Sequence, residues 1–166
     1  MQLTHHTSKF KKRSFPIILV CDHVSNAPNI GSLFRTADAF GIEKLILCGD
    51  HISLGRRMTK TSRATEKTMP FELQKDSLHV VTKLRASNYR IIALEITSNS
   101  QALHQFDLNI SQPIALIIGD ENFGIRKELL ELSDAVVHVE MFGKNSSMNV
   151  VQAASITLYE FTRQFL

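Results

Sequence analysis

The sequence predicts an α/β domain: a mostly parallel sheet with helices on both faces. Two observations carry that expectation. Short apolar, β-branched runs alternate with segments whose apolar residues fall at helical spacing, which is the pattern of layered βα units. Three of the runs also lead straight into stretches rich in Gly, Ser and Asn, at residues 26–35, 119–124 and 141–149. Sheets of this class carry their ligand loops there, beyond the carboxyl ends of the strands.

Taken in order, residues 15–21 (FPIILVC) are a continuous apolar run, suited to a strand buried on both faces. Pro28 and Asn29 open a helix that runs to about Phe40 and ends at Gly41. Its residues Ile30, Leu33, Phe34, Ala37 and Phe40 share one face. Residues 45–48 are a second strand. Residues 49–69 are polar, basic and without clear periodicity, and read as a long loop of the functional or mobile kind. Residues 71–73 are a short strand, and 76–86 a helix with Leu78, Val81 and Leu84 inward. Residues 90–96 are a strand, 98–112 a polar connection, and 114–118 a buried strand ending at Gly119. A short helix at 126–132 precedes the last strand, 135–139. A helix from Asn149 to about Phe165 closes the chain, with Ser and Asn before it as capping residue types. It carries apolar residues round most of its circumference, so its burial falls to its own core or to a partner, and a dimer interface is one place for the surplus.

At 166 residues the chain is long enough for one domain burying roughly 70% of its unfolded surface. Residues 1–14 form a basic tail and 15–166 the domain. No apolar run approaches the ~20 residues of a membrane span, and the N-terminus has no apolar signal-like core, so a cytoplasmic protein off the membrane is expected. Cys21 and Cys48 both sit in apolar strands outside any CxxC and are expected to be buried free thiols. The net charge of +3 is unevenly spread. Lys9, Lys11, Lys12 and Arg13 give the first 13 residues +4. Arg56, Arg57, Lys60, Arg63 and Lys67 against Glu66 give residues 56–67 another +4, leaving −5 for the remainder. Two basic segments on a slightly acidic body suit contacts to nucleic-acid phosphates, although solvated tails and loops are often basic as well.

Several chemistries are excluded. A P-loop needs a glycine where His138 stands and Ser or Thr where Asn145 stands. The first strand-to-helix turn, CDHVSNAPNIG, lacks the GxGxxG of dinucleotide sites. The seven histidines show no ligand spacing with Cys or carboxylate, so no metal is expected. No GxSxG nucleophile elbow exists.

NIGSLFRTADAFG (29–41), GDENFG (119–124) and MFGKNSSMNVVQA (141–153), in this order and spacing, resemble the three motifs of the SpoU/TrmH family of RNA ribose 2′-O-methyltransferases, within the SPOUT superfamily. The resemblance spans nearly the whole chain from Phe15. The segment GRRMTKTSRATEKTMPF is similar to the members acting on guanosine 18 of tRNA. The resemblance implies S-adenosylmethionine as methyl donor without a metal, a C-terminal trefoil knot, a homodimer and an RNA substrate. By position, Arg35 matches the family's catalytic arginine, Glu121 its acidic residue in the second motif, and Ser147 and Asn149 its third-motif pair. Asn29 is expected to cap the first helix and position Arg35, beside which Gly31 and Ser32 leave open space. Ser147 and Asn149 are expected to cap the last helix while contacting donor or ribose. Leu94, Gly119, Val139, Met141, Gly143 and Met148 are expected at the donor. The family's third motif often has proline before its methionine, whereas this chain has Glu140, a carboxylate expected near the donor.

Deprotonating a guanidinium at neutral pH would cost roughly 8 kcal/mol. Arg35 is therefore expected to clamp the RNA phosphate beside the target ribose, with a phosphate oxygen or water taking the proton. The basic tail and the cations Arg56, Arg57, Lys60 and Arg63 are expected to hold RNA. A compact tRNA feature is placed ahead of rRNA. A SPOUT-fold module that binds RNA without catalysis is the alternative, and the joint presence of Asn29, Arg35, Glu121, Ser147 and Asn149 argues against it.

Overall fold

A computed structural model describes residues 10–166; Lys9, one of the expected RNA contacts, lies outside them. Seven strands form one sheet: β1 (Phe15–Asp22), β2 (Ile42–Cys48), β3 (Phe71–Gln74), β4 (Arg90–Leu94), β5 (Gln101–Ala102), β6 (Ile114–Ile118) and β7 (Ala135–His138). Their order is β3-β2-β1-β6-β4-β7-β5, and every pairing is parallel. Parallel strands need crossovers, and α1 (Ala27–Ala39), α2 (Arg56–Ser62), α3 (Ser77–Ala86) and α4 (Lys127–Leu132) lie in them, while α5 (Val150–Gln164) follows the last strand.

The two-residue period of a strand divides the core. Ile17, Leu19, Leu45, Leu47, Leu116 and Ile118 pack with Leu33 and Phe34 of α1 and Leu158 and Phe161 of α5. Their sequence neighbours Ile18, Val20, Ile46, Ala115 and Ile117 pack on the other face with Val80 and Val81 of α3 and Leu129 of α4. The continuous apolar runs are therefore what a sheet sandwiched between two helical layers requires.

The structure departs from expectation in four places. Residues 49–69 are not one loop: they hold α2 and a 3₁₀ turn, Thr65–Lys67. The polar connection at 98–112 contains β5 and a 3₁₀ turn, Leu103–Gln105. The first helix is capped by Asn26, whose side chain accepts the Asn29 amide at 3.1 Å, so Asn29 is inside the helix. The space beside Gly31 is filled, since a Cβ there would lie 2.0 Å from Thr61 Oγ1 and 2.3 Å from the Met58 carbonyl. The closing helix buries Ala154, Thr157, Leu158, Phe161 and Thr162 along one side and exposes Ile156 and Tyr159 on the other. Cys21 and Cys48 are buried free thiols.

Candidate functional site

The carboxyl ends of β1, β6, β4 and β7 lie side by side, and the three glycine- and asparagine-bearing segments meet there. Asn149 joins them. Its side-chain oxygen caps α5, accepting the Val151 amide at 2.9 Å and the Gln152 amide at 3.4 Å. Its Nδ2 donates to Glu121 Oε1 at 3.0 Å and to Asn29 Oδ1 at 3.3 Å. One side chain thus sets the start of a helix and ties it to both other segments. Ser147 makes no cap; it is exposed on the loop and faces the cavity described next.

Beside this knot of amides lies a cavity of about 440 Å³, within the roughly 300–1,000 Å³ of small-molecule sites. Leu94, Ile118, Val139, Met141, Met148 and Val150 give it apolar walls, and Gly119, Glu121 and Ser147 face it. Of the expected donor contacts, Leu94, Gly119, Val139, Met141 and Met148 therefore line one cavity. Gly143 does not; it lies in an adjoining shallow depression with Asn145 and Asn149, where an added Cβ would touch nothing. Glu140 also lies outside the cavity, with its carboxylate 3.7 Å from His104 Nδ1.

The loop after β6 is built tightly. Asp120 Oδ1 accepts the amides of Asn122 at 2.8 Å and Phe123 at 3.2 Å, and the Gly124 amide returns to the Asp120 carbonyl at 2.9 Å. The turn brings Gly124 so near that a Cβ on Gly119 would sit 2.3 Å from its carbonyl carbon. Glycine at 119 is a steric requirement of that approach. Phe123 is left 91% exposed at the rim.

Two carboxylates that the sequence did not single out stand at the ends of the strands flanking β6. Glu95, directly after β4, lines the cavity and accepts the Ile125 amide at 3.0 Å. Asp22, the last residue of β1, is buried and accepts from Ser77 Oγ at 2.5 Å, with His23 Nδ1 at 2.8 Å and Arg126 Nε at 3.4 Å. Burial alone would lower the Arg126 pKa, but the carboxylates of Asp22 and Asp76 beside it carry it above its ordinary value. Asp76 moves the other way, held below its ordinary value first by the Leu78 amide and then by Arg126. The rule that ligand groups follow strand ends would have found both Glu95 and Asp22.

Among the described residues, Arg35, Arg56, Arg57, Lys60 and Arg63 are exposed and form no salt bridge. Arg35 makes no ion pair with Asp38, three residues on in the same helix. α2 packs across Gly31 of α1, setting its cations beside the helix that carries Asn29 and Arg35. Arg56 and Arg57 border a depression with Asn26 and Pro28 at the start of α1. The described part of the basic tail, residues 10–14, goes elsewhere. Arg13 donates to the Phe165 carbonyl at 2.9 Å and stacks on the Phe15 ring. Lys11, Lys12 and Arg13 precede β1, whose eight residues set them roughly 25 Å from the cavity edge of the sheet. No group of three or more His, Cys, Asp or Glu suited to a metal occurs among the described residues, and no described helix is long and apolar enough to cross a membrane.

Comparison with known proteins bears on the family and the fold. The 23S rRNA (guanosine-2′-O-)-methyltransferase RlmB of Blochmanniella floridana is 31% identical over 160 residues, covering 96% of this chain and 62% of that protein. The chain spans about three fifths of the length of the RlmB relatives it matches. The crystal structure of the Aquifex aeolicus TrmH/SpoU tRNA modifying enzyme superposes with a TM-score of 0.82 at 26% identity, covering 92% of this chain and 77% of that one. The SpoU methyltransferase AviRb from Streptomyces viridochromogenes, in complex with the cofactor AdoMet, gives 0.79 at 26% identity, covering 93% and 62%. The SpoU rRNA Methylase family profile matches residues 16–159. The chain belongs to the SpoU rRNA Methylase family.

Proposed function

We propose that this chain is an S-adenosylmethionine-dependent methyltransferase that modifies a ribose 2′-hydroxyl in structured RNA, with tRNA ahead of rRNA as substrate. The observation that carries the reading is the junction at Asn149, where three separate motifs are hydrogen-bonded together at the mouth of one cavity. The fit to the donor is supported by the apolar walls, which suit an adenosyl group, and by the carboxylate of Asp120, which suits a cation. When bound, the donor supplies an electrophilic methyl group on its sulfonium.

The chain's own residues then have distinct tasks. Arg35, exposed and free of a carboxylate partner, binds the phosphate next to the target ribose and orients the 2′-oxygen. A guanidinium is a poor base and a good phosphate clamp, so its task is to hold; the proton leaves to a phosphate oxygen or water. Asn29, Glu121 and Asn149 brace one another, and Ser147 projects from the same loop toward the cavity. Methyl transfer depends chiefly on in-line placement and exclusion of water, which matches a site without a strong base. The cations of α2 extend the RNA surface, the tail cations reaching a site only across a second subunit. A homodimer, the C-terminal knot and a cytoplasmic location belong to the same proposal, the dimer supported by exposed Ile156 and Tyr159 on α5.

The test is incubation of the protein with methyl-labelled donor and unmodified tRNA or rRNA, beside Arg35→Ala. Label in tRNA that vanishes in the variant is the expected result. Label confined to rRNA overturns the substrate assignment. Donor and RNA binding without transfer to either class supports the non-catalytic module instead.

A further inference from the structure

β6 lies between β1 and β4 in the sheet, and the loop that follows β6 is held from both sides by carboxylates at the ends of those two strands. Glu95, one residue past β4, accepts the Ile125 amide at 3.0 Å on one oxygen and its own neighbour's, Ile96, at 2.9 Å on the other. Asp22, ending β1, accepts the next amide along, Arg126, at 3.4 Å. Arg126 stands at the start of α4 with non-helical backbone angles, φ −58° and ψ 145°, and β1 and β4 lie on opposite sides of β6. Two consecutive amides therefore meet one carboxylate each, from opposite flanks, where the loop passes into α4.

Each anchor is itself fixed. Asp22 is 1% exposed and braced by Ser77, His23 and the Arg126 side chain. The Glu95 amide continues the sheet by donating to the Val137 carbonyl at 2.9 Å. The loop makes room for the Glu95 carboxylate at Gly124: an added Cβ there would lie 2.5 Å from Glu95 Oε2, and φ is +67°. The segment so held, Gly119 to Ile125, forms one wall of the cavity, and Glu95 faces the cavity as well.

We propose that Glu95 and Asp22 are positioning residues of the methyl-donor site, a pair of flanking carboxylates that keep the 119–125 wall in its receiving shape before any donor arrives. The assignment rests on the donor reading of the cavity given above. A wall already ordered spares the ligand the cost of ordering it, so the pair acts on donor affinity and leaves RNA capture alone.

The experiment compares wild type, Glu95→Gln and Asp22→Asn by amide hydrogen exchange without donor, by calorimetry with S-adenosylmethionine, and by steady-state transfer. Glu95→Gln keeps the size but has one acceptor oxygen for two amides. The expected result is faster exchange confined to residues 119–126, a donor Kd and KM raised roughly tenfold, the worth of about one hydrogen bond to a charged group, and an unchanged RNA KM. Asp22→Asn shows its largest exchange change at Arg126. If the wild type binds donor and Glu95→Gln binds it equally well, the positioning assignment is overturned. Exchange accelerated evenly across the sheet, with RNA and donor constants moving together, marks a merely structural pair and overturns it too. A wild type that binds no donor overturns the donor reading itself, a failure visible before any variant is made.

Discussion

Asn149 is the sharpest place to separate folding from function, because it does two jobs with two different atoms. Its oxygen caps α5, and its amide nitrogen bridges Glu121 and Asn29. Losing the cap in Asn149→Ala should cost about 1 kcal/mol, which in a chain of this size lowers Tm by roughly 2–4 °C. The two bridging bonds are exposed and add little to stability, but they set the relative placement of three motifs. A displacement of ~1 Å in such a placement costs about a hundredfold in rate. Serine caps helices as well as asparagine but has no amide to bridge with. Asn149→Ser should therefore melt within about 0.5 kcal/mol of wild type, the usual range for a neutral surface change, while methyl transfer stays about a hundredfold down. Thermal melts and transfer of labelled methyl groups measure the two properties on the same samples. Recovery of both stability and transfer in Asn149→Ser would refute the bridging role and reduce Asn149 to a helix cap.

Three further outcomes follow from single features. Arg35→Ala should leave stability within about 0.5 kcal/mol, since the side chain is exposed and unpaired, and leave donor affinity unchanged by calorimetry, while transfer is lost. Gly124→Ala should destabilise by about 1–2 kcal/mol for a left-handed residue, read from a urea melt, and should weaken donor binding because the new Cβ meets Glu95. The Cys48 thiol is pushed from 9.0 to about 12, by burial first and then by Asp22 and Asp76. The unfolded chain gives up that proton at lower pH than the native one, so stability is full below about pH 9 and falls as pH rises toward 12. A urea midpoint that declines across this range, less steeply in Cys48→Ala, is the expected result.

The sheet was legible because a strand buried on both faces has to be apolar at every position, and runs such as PIILV and IALII say so directly. The three ligand segments were legible because they follow those runs. α2 was not: RRMTKTS has one buried apolar side chain, Met58, and no periodicity, and its helix is held by packing across Gly31 of α1. The two residues of β5 are too few to show alternation. Asn26 and Asn29 are both capping residue types at one helix start, and only the backbone angles decide between them. Glu95 and Asp22 went unnoticed because their partners are backbone amides 30 and 104 residues away, which leave no mark in residue spacing. The tail's charge was evident but the place of Lys11, Lys12 and Arg13 was not, since they directly precede β1 and so stand at the far edge of the sheet.

The account stands on the claim that this cavity and Arg35 together serve a ribose hydroxyl. The most direct measurement is alkaline hydrolysis of RNA labelled by the pure protein, followed by mass spectrometry of the labelled nucleotide. A 2′-O-methyl group blocks cleavage at its own linkage, so the account predicts one alkali-resistant dinucleotide carrying all the label. Label on a base, released in a mononucleotide by alkali, would contradict it.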